Sequence, residues 1–294
     1  CSSLTAITIP EGVTSIGEYA FSGCSSLTAI TIPASVDVVG NKVFDDCTSL
    51  KEIIIEDGNT TLSLGYSPYS DSYYDDGVGL FYDCPLETVY LGRNLSYITG
   101  DSYGLSPFCG RNGSSTVSIT SVTIGDSVTS IERDTFIGCS DLTSITIPKG
   151  VTYIDEGAFY ECYSLSLVIN YSDLDIQKGS YTNGSVALYA DRVIIAIDAE
   201  LIDGYAFKTI EGVHYLTGYM GDKTELTLPA DYKGENYQIG ERAFYKCSSL
   251  TAINIPESVT SIGDYAFAYC SSLKTVINYS DLPLQKGSSG NGYV

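Results

Sequence analysis

The chain of 294 residues has no Trp, one Met and one His. A single His, His214, leaves almost nothing for a zinc site or a Ser-His-Asp triad. Basic residues are scarce as well. Fifteen Lys and Arg stand against 36 Asp and Glu, for a net charge of −21. That balance argues against phosphate-tracking nucleic-acid binding and against adhesion to anionic membrane surfaces. No apolar run is long enough to cross a bilayer, so no direct membrane insertion is expected of this segment. There is no Cys-x-x-Cys, no His-Glu-x-x-His, no Gly-x-Ser-x-Gly and no phosphate-binding Gly-rich Lys-Ser/Thr loop. No cofactor or metal is implied. The acidic run Asp71–Gly77 lacks the ligand spacing of a calcium loop.

What the chain does have is repetition. Of its nine Phe, seven carry Cys three places later: Phe21/Cys24, Phe44/Cys47, Phe81/Cys84, Phe136/Cys139, Phe159/Cys162, Phe244/Cys247 and Phe267/Cys270. The unit opens Cys1-Ser2-Ser3-Leu4-Thr5-Ala6-Ile7-Thr8-Ile9-Pro10. It continues through Val13, Ile16-Gly17 and Ala20-Phe21, and restarts at Cys24. A fixed period of this length predicts a solenoid whose turns stack on one another. Ile-x-Ile alternation marks a short strand with two inward residues and one outward. Pro10, Pro33, Pro148, Pro229 and Pro256 follow that strand and end its ladder. The slots can be followed for about ten turns. Eight of the nine Cys fall in one slot, so buried, unbonded thiols are expected there. Cys109, out of register, is the expected reactive one.

The chain reads as one array over residues 1–294, with insertions at about 56–83, 94–116 and 170–225. In the third, Val193-Ile194-Ile195 reads as a strand. Phe207–Ile210 and Val213–Leu216 read as a β-hairpin around Glu211-Gly212. A 108-residue super-repeat overlies the short one: 139–186 matches 247–294, and within it residues 167–186 and 275–294 agree at 14 of 20 positions. The chain opens and stops within a repeat, which points to truncation at both ends.

The unit Cys-Ser-Ser-Leu-Thr-x-Ile-x-Ile-Pro-x-x-Val-Thr-x-Ile-Gly-x-x-Ala-Phe resembles the BspA-like, or Treponema pallidum-type, bacterial leucine-rich repeat. The resemblance covers the regular turns. It implies an α/β-type repeat solenoid: a right-handed superhelix of ~23-residue turns with a parallel β-sheet on one face. To this the sequence adds β-hairpin insertions. The resemblance also implies an extracellular or cell-surface location and a role in adhesion. Expected partners are host matrix or surface proteins, glycans, or other bacterial surface proteins. The family shares no catalytic residues, so none are assigned and no enzyme activity is expected.

Outward strand positions form a column: Thr8, Thr31, Ile54, Tyr90, Thr123, Thr146, Thr227, Asn254 and Ile277. Tyr90 and Glu52 interrupt its Thr pattern near a Tyr-rich insertion. Tyr offers a rigid contact surface with a hydrogen-bonding tip. The expected ligand-binding residues are therefore Tyr66, Tyr69, Tyr73, Tyr74, Tyr90 and Glu52. Two other readings stand beside the recognition module. One is a structural spacer that displays another domain. The other is a carboxylate-dependent hydrolase, which requires two carboxylates facing each other across a cleft.

Overall fold

The computed structural model describes residues 1–67, 78–81, 84–97, 106–108 and 118–284. The chain divides into two compact units. The first holds Cys1–Val168 with Ser172–Ala190, the second Ile169–Tyr171 with Asp191–Val294.

In the first unit the Ile-x-Ile segments become strands Ala29–Ile32, Glu52–Ile55, Thr88–Leu91 and Ser121–Ile124, paired in parallel. They stack in register, with Ile30, Ile53, Val89 and Val122 in one column and Ile32, Ile55, Leu91 and Ile124 in another. Both columns are buried, while Glu52, Ile54, Thr88 and Tyr90 face outward. This is the solenoid expected from the repeat.

After each strand the chain turns at once. Val13, Val36 and Val151 donate their N–H to the carbonyls of Pro10, Pro33 and Pro148, closing a four-residue turn where Pro has ended the ladder. A second parallel ladder follows, made of Ser15–Ile16, Val38–Val39, Leu62–Leu64 and Leu95–Ser96. Leu62–Leu64 and Leu95–Ser96 are thus regular rungs, although each lies within a range that reads as an insertion in the sequence. Gly40 and Gly65 come next. A Cβ on Gly65 would lie 2.5 Å from the carbonyl carbon of Gly40, so glycine is what lets the backbones of successive turns approach.

The side away from the sheet is built of turns. Among the described residues the one helical segment is a 3₁₀ turn, Asn183–Ser185. Two positions per turn adopt left-handed backbone. In the first, two places after the Gly slot, sit Tyr19, Lys42, Asp134 and Gly157. In the second, two places after Phe, sit Gly23, Asp46, Gly138 and Glu161.

Inside, the rings form a continuous stack. Phe21, Phe44, Phe81, Phe108, Phe136 and Phe159 follow one another at 5.9, 4.8, 5.7, 5.5 and 5.4 Å between centroids. Each fully buried ring contributes roughly 2 kcal/mol of transfer free energy. Phe108 has no Cys three places on, yet it fills the ring slot of its turn. The Cys slot packs beside the rings. The eight described cysteines are thiols rather than disulfides; Cys1 is exposed and Cys270 half-buried, and the other six are buried. Cys109 lies outside the described residues.

In the second unit Arg192–Ile195 is a strand, and Tyr205–Ile210 pairs antiparallel with Val213–Tyr219. Glu211 and Gly212 both have positive φ, 51° and 80°, the geometry of a two-residue hairpin turn with the right-handed twist. Glu200–Ile202 adds a third antiparallel strand. On its other edge Val213–Tyr219 pairs in parallel with Tyr237–Ile239, which pairs with Val259–Ile262. The hairpin therefore merges into the solenoid ladder. Glu225–Thr227, Ala252–Ile255 and Thr275–Asn278 form the other ladder. Phe244 and Phe267 stack at 5.1 Å within the core.

Candidate functional site

The outward face of the first unit's sheet carries a concavity of about 580 Å³. It is lined by Glu52, Ile54, Glu56, Asp57, Thr88, Val89, Tyr90 and Thr123. Strand register builds it: Glu52 stands beside Thr88, and Ile54, Tyr90 and Thr123 are neighbours across three strands. Because side chains alternate along a strand, the residues flanking the buried Ile53 and Val89 emerge on the same side. The expected residues Glu52 and Tyr90 are thus brought together.

Tyr90 is held in place. Its hydroxyl donates to Asp57 Oδ2 at 2.8 Å. That bond, then partial burial and the charges of Asp57 and Asp126, push the phenol above its ordinary range. Asp57 reaches this position because two neighbours have no side chain. A Cβ on Gly125 would fall 2.4 Å from Asp57 Oδ1 and 3.1 Å from the Tyr90 hydroxyl, and one on Gly92 would fall 2.4 Å from the Asp57 nitrogen. Glu56 stands where Pro10 and Pro33 stand in other turns, and its Oε2 accepts the Ala34 N–H at 3.0 Å.

Beneath the loop lies Arg93, 0% exposed. Its guanidinium donates to the carbonyls of Pro33 (2.8 Å) and Ala34 (3.0 Å) and to Thr60 Oγ1 (3.2 Å). Burial lowers its pKa, while Asp37 and Glu56 act in the opposite direction. These bonds fasten the 56–60 segment to the preceding turn, and so fix Asp57. The rim carries one ion pair, Lys51–Glu87 at 2.6 Å. The concavity's lining has three carboxylates and no cation. It can accept hydrogen bonds from hydroxyl or ammonium groups and offer one aromatic ring.

Tyr66 opens a two-residue strand, Tyr66–Ser67, paired antiparallel with Val78–Gly79. Tyr69, Tyr73 and Tyr74 lie outside the described residues. Asp57, Glu56 and the buried Arg93 were not among the sequence candidates. The signal for them was the Pro slot, which reads Glu56, Gly92 and Gly125 around Tyr90.

His214 is tied into the hairpin. Its Nδ1 lies 2.8 Å from Thr209 Oγ1, its Nε2 3.0 Å from Glu235 Oε2, and its ring packs on Tyr232 at 4.6 Å. Among the described residues no group of three His, Cys, Asp or Glu side chains is placed to hold a metal ion. No helix among them is long and apolar enough to cross a membrane.

Comparison with curated proteins gives no match. Among solved structures the chain is similar to a leucine rich cell surface protein from Faecalibacterium prausnitzii A2-165. Identity is 26% over 91% of this chain and 59% of that one, with a TM-score of 0.36. It is similar too to the T. pallidum leucine rich repeat protein, at 18% identity over 89% of this chain and 72% of that one, TM-score 0.27. A third is the pneumococcal vaccine antigen PcpA, at 19% identity over 94% and 59%, TM-score 0.32. The chain thus spans 59% of the F. prausnitzii protein. Six copies of the BspA type leucine rich repeat region match residues 1–106, 113–217 and 224–284. With nearly its whole length so matched, the chain belongs to the BspA-type leucine-rich repeat family.

Proposed function

We propose that the chain is a non-enzymatic recognition module, secreted or displayed on a bacterial surface, that holds protein or glycan ligands on the sheet face around Tyr90. The observation that carries this reading is the Tyr90–Asp57 bond at 2.8 Å within an open concavity. A ring fixed before a ligand arrives loses little conformational freedom on binding. The surface location extends to this chain what the F. prausnitzii protein is described as.

Glu52 and the adjacent Glu56 and Asp57 line one open face, Glu52 roughly 13 Å or more from the other two along the strand. Glycoside hydrolysis places two carboxyl groups on opposite sides of the bond to be broken. The arrangement therefore favours holding a ligand over cleaving one. Favoured ligands are hydroxyl-rich sugars, whose apolar ring faces stack on Tyr, and protein segments carrying Lys.

The test is binding to an array of host matrix proteins and glycans. Three proteins are compared: the parent chain, Tyr90→Ser, and a variant with Tyr66, Tyr69, Tyr73 and Tyr74 changed to Ser. Saturable binding lost in Tyr90→Ser and kept in the four-site variant supports the sheet face. The reverse pattern moves the site to the insertion. No saturable binding in any of the three favours the spacer.

A further inference from the structure

The second unit carries a cluster of opposite character. A small cavity of about 20 Å³, room for roughly one water-sized group, is lined by Arg192, Lys223 and Arg242 together with Tyr219, Tyr245 and Ser249. No carboxylate is among its lining residues. Arg192 is half-buried, and its Nη1 donates to the carbonyl oxygens of Gly221 (2.6 Å) and Tyr219 (3.3 Å). The floor is apolar, formed by Ile194, Phe244 and Leu250. With Lys246 beside it, this place holds four of the chain's 15 basic residues in a molecule of net charge −21.

Aromatic rings continue the cluster outward. Arg242 lies 6.0 and 5.9 Å from the ring centres of Tyr245 and Tyr265. Lys246 lies 5.4 and 5.9 Å from those of Tyr245 and Tyr269. Tyr245 and Tyr269 meet edge to face at 5.5 Å, and Tyr269 is 69% exposed. The backbone makes this arrangement informative. Arg242, Lys246, Tyr265 and Tyr269 have φ of 56°, 55°, 56° and 62°, the left-handed positions of two successive turns. In the first unit the column after Phe contains Gly23, Asp46, Gly138 and Glu161, and the column after the Gly slot contains Tyr19, Lys42, Asp134 and Gly157, with Lys42 5.9 Å over the Tyr19 ring. Here all four hold a cation or a Tyr, in a conformation that glycine adopts more easily. Arg242, Tyr265 and Tyr269 are exposed and Lys246 is half-buried, so a ligand can reach them from solvent. The Glu241 carboxylate lies 3.7 Å from Arg242.

We infer that this cluster is a second ligand site, for a carboxylate-bearing saccharide. The acid group is received by Arg242, Lys223 and Arg192 at the cavity mouth, and the sugar ring lies on Tyr269 and Tyr245. Guanidinium groups match a planar carboxylate with paired donors. The cavity is too small for a sugar ring and accepts only a terminal group. The site shares no residue with the sheet face of the first unit, so either can fail without the other.

The test is calorimetric titration of the whole chain with sialyllactose, lactose and lactose sulfate. Sialyllactose is expected to bind saturably and at least about tenfold more tightly than lactose, weakening as salt is raised. Arg242→Gly suits the local φ and removes the guanidinium, while Lys223→Gln removes a second charge. Together they are expected to weaken sialyllactose by about tenfold or more, with the thermal midpoint no lower than the parent's. Lys274→Gln, which removes an exposed cation outside the cluster, is expected to leave the affinity unchanged. Equal affinity for lactose, no saturation by sialyllactose, or binding intact in the double variant would overturn the site. Tighter binding of lactose sulfate would overturn the carboxylate assignment.

Discussion

Cys162 Sγ lies 3.2 Å from the carbonyl oxygen of Phe136, one turn away, and donates its S–H to it. The same oxygen accepts the N–H of Cys139 at 3.2 Å. The relation recurs between Cys47 and Phe21 (3.2 Å), Cys84 and Phe44 (3.6 Å), and Cys270 and Phe244 (3.0 Å). Each Phe carbonyl thereby serves two turns, and this explains why Phe and Cys are spaced together. The thiols are structural donors. Cys162→Ala removes a bond and leaves a small cavity, and it is expected to cost about 1–2 kcal/mol in chemical unfolding.

Burial pushes the Cys47 thiol up to about 11, so almost no thiolate exists at pH 8. Alkylation of the native chain at that pH is expected to spare Cys47 and to modify the exposed Cys1. After denaturation without reductant all nine cysteines are expected to react. Mass spectrometry of the two samples decides it. A Cys47 modified as fast as Cys1, or a total below nine, contradicts the thiol ladder.

Phe108 stacks between Phe81 and Phe136 at 5.7 and 5.5 Å and is 0% exposed. Its turn lacks the Cys that accompanies the other rings, yet its burial is as complete as theirs. Phe108→Ala is therefore expected to destabilise by about 3–5 kcal/mol, and Phe136→Ala by the same amount. Thermal unfolding of the two variants side by side checks this. A Phe108→Ala midpoint equal to the parent's would remove Phe108 from the core.

The regular turns were legible because one spacing, Phe to Cys, recorded both the ring stack and the thiol ladder. The hairpin was legible from Glu211-Gly212 between two β-rich runs. Phe108 was not, since its turn has lost the marker. Asp57 was hidden for another reason. Its position depends on glycines at 92 and 125, which are adjacent to it only after the strands pair. The left-handed columns were equally hidden, because Tyr19, Lys42 and Arg242 are not residues whose local preference is left-handed. Stacking of successive turns imposes that conformation on them. For Tyr90 and Glu52 the clue was a break in an otherwise regular Thr column.

Three tyrosines are expected to set the alkaline limit of stability. Tyr97 donates to the Arg133 carbonyl at 2.7 Å, Tyr205 to Thr227 at 2.8 Å and Tyr237 to Pro229 at 2.8 Å. Burial is the main cause that raises all three, Tyr205 to about 12 and the other two further. A raised pKa means that the folded state favours the neutral phenol. The stabilisation is complete below the ordinary tyrosine value of about 10 and is lost as pH rises through the folded value. Between those limits each such tyrosine is expected to remove about 1.4 kcal/mol per pH unit. Denaturant unfolding from pH 9 to 12 should show the decline, shallower in Tyr205→Phe. An unchanged slope in that variant would mean that Tyr205 ionises freely while folded.

The left-handed columns carry a stability cost that can be measured. Gly23 and Asp46 occupy the same place in successive turns, with φ of 69° and 58°. Nothing lies within 4 Å of where a Cβ on Gly23 would be, and Asp46 is exposed. The two positions therefore differ mainly in the backbone preference of the residue. A non-glycine residue in this conformation costs roughly 1–2 kcal/mol, partly offset for Asp, which tolerates it better than most, and by the greater freedom of glycine when unfolded. Asp46→Gly is expected to stabilise by about 0.5–1 kcal/mol, and Gly23→Ala to destabilise by about 1 kcal/mol or slightly more. Each shifts the thermal midpoint by roughly 2–4 °C, in opposite directions. A lower midpoint for Asp46→Gly would show that the Asp46 side chain does more for the fold than its exposure suggests. The expected pair of shifts would show that the non-glycine residues of these columns, Tyr19 and Lys42 as well as Arg242, Lys246, Tyr265 and Tyr269, are held against their backbone preference.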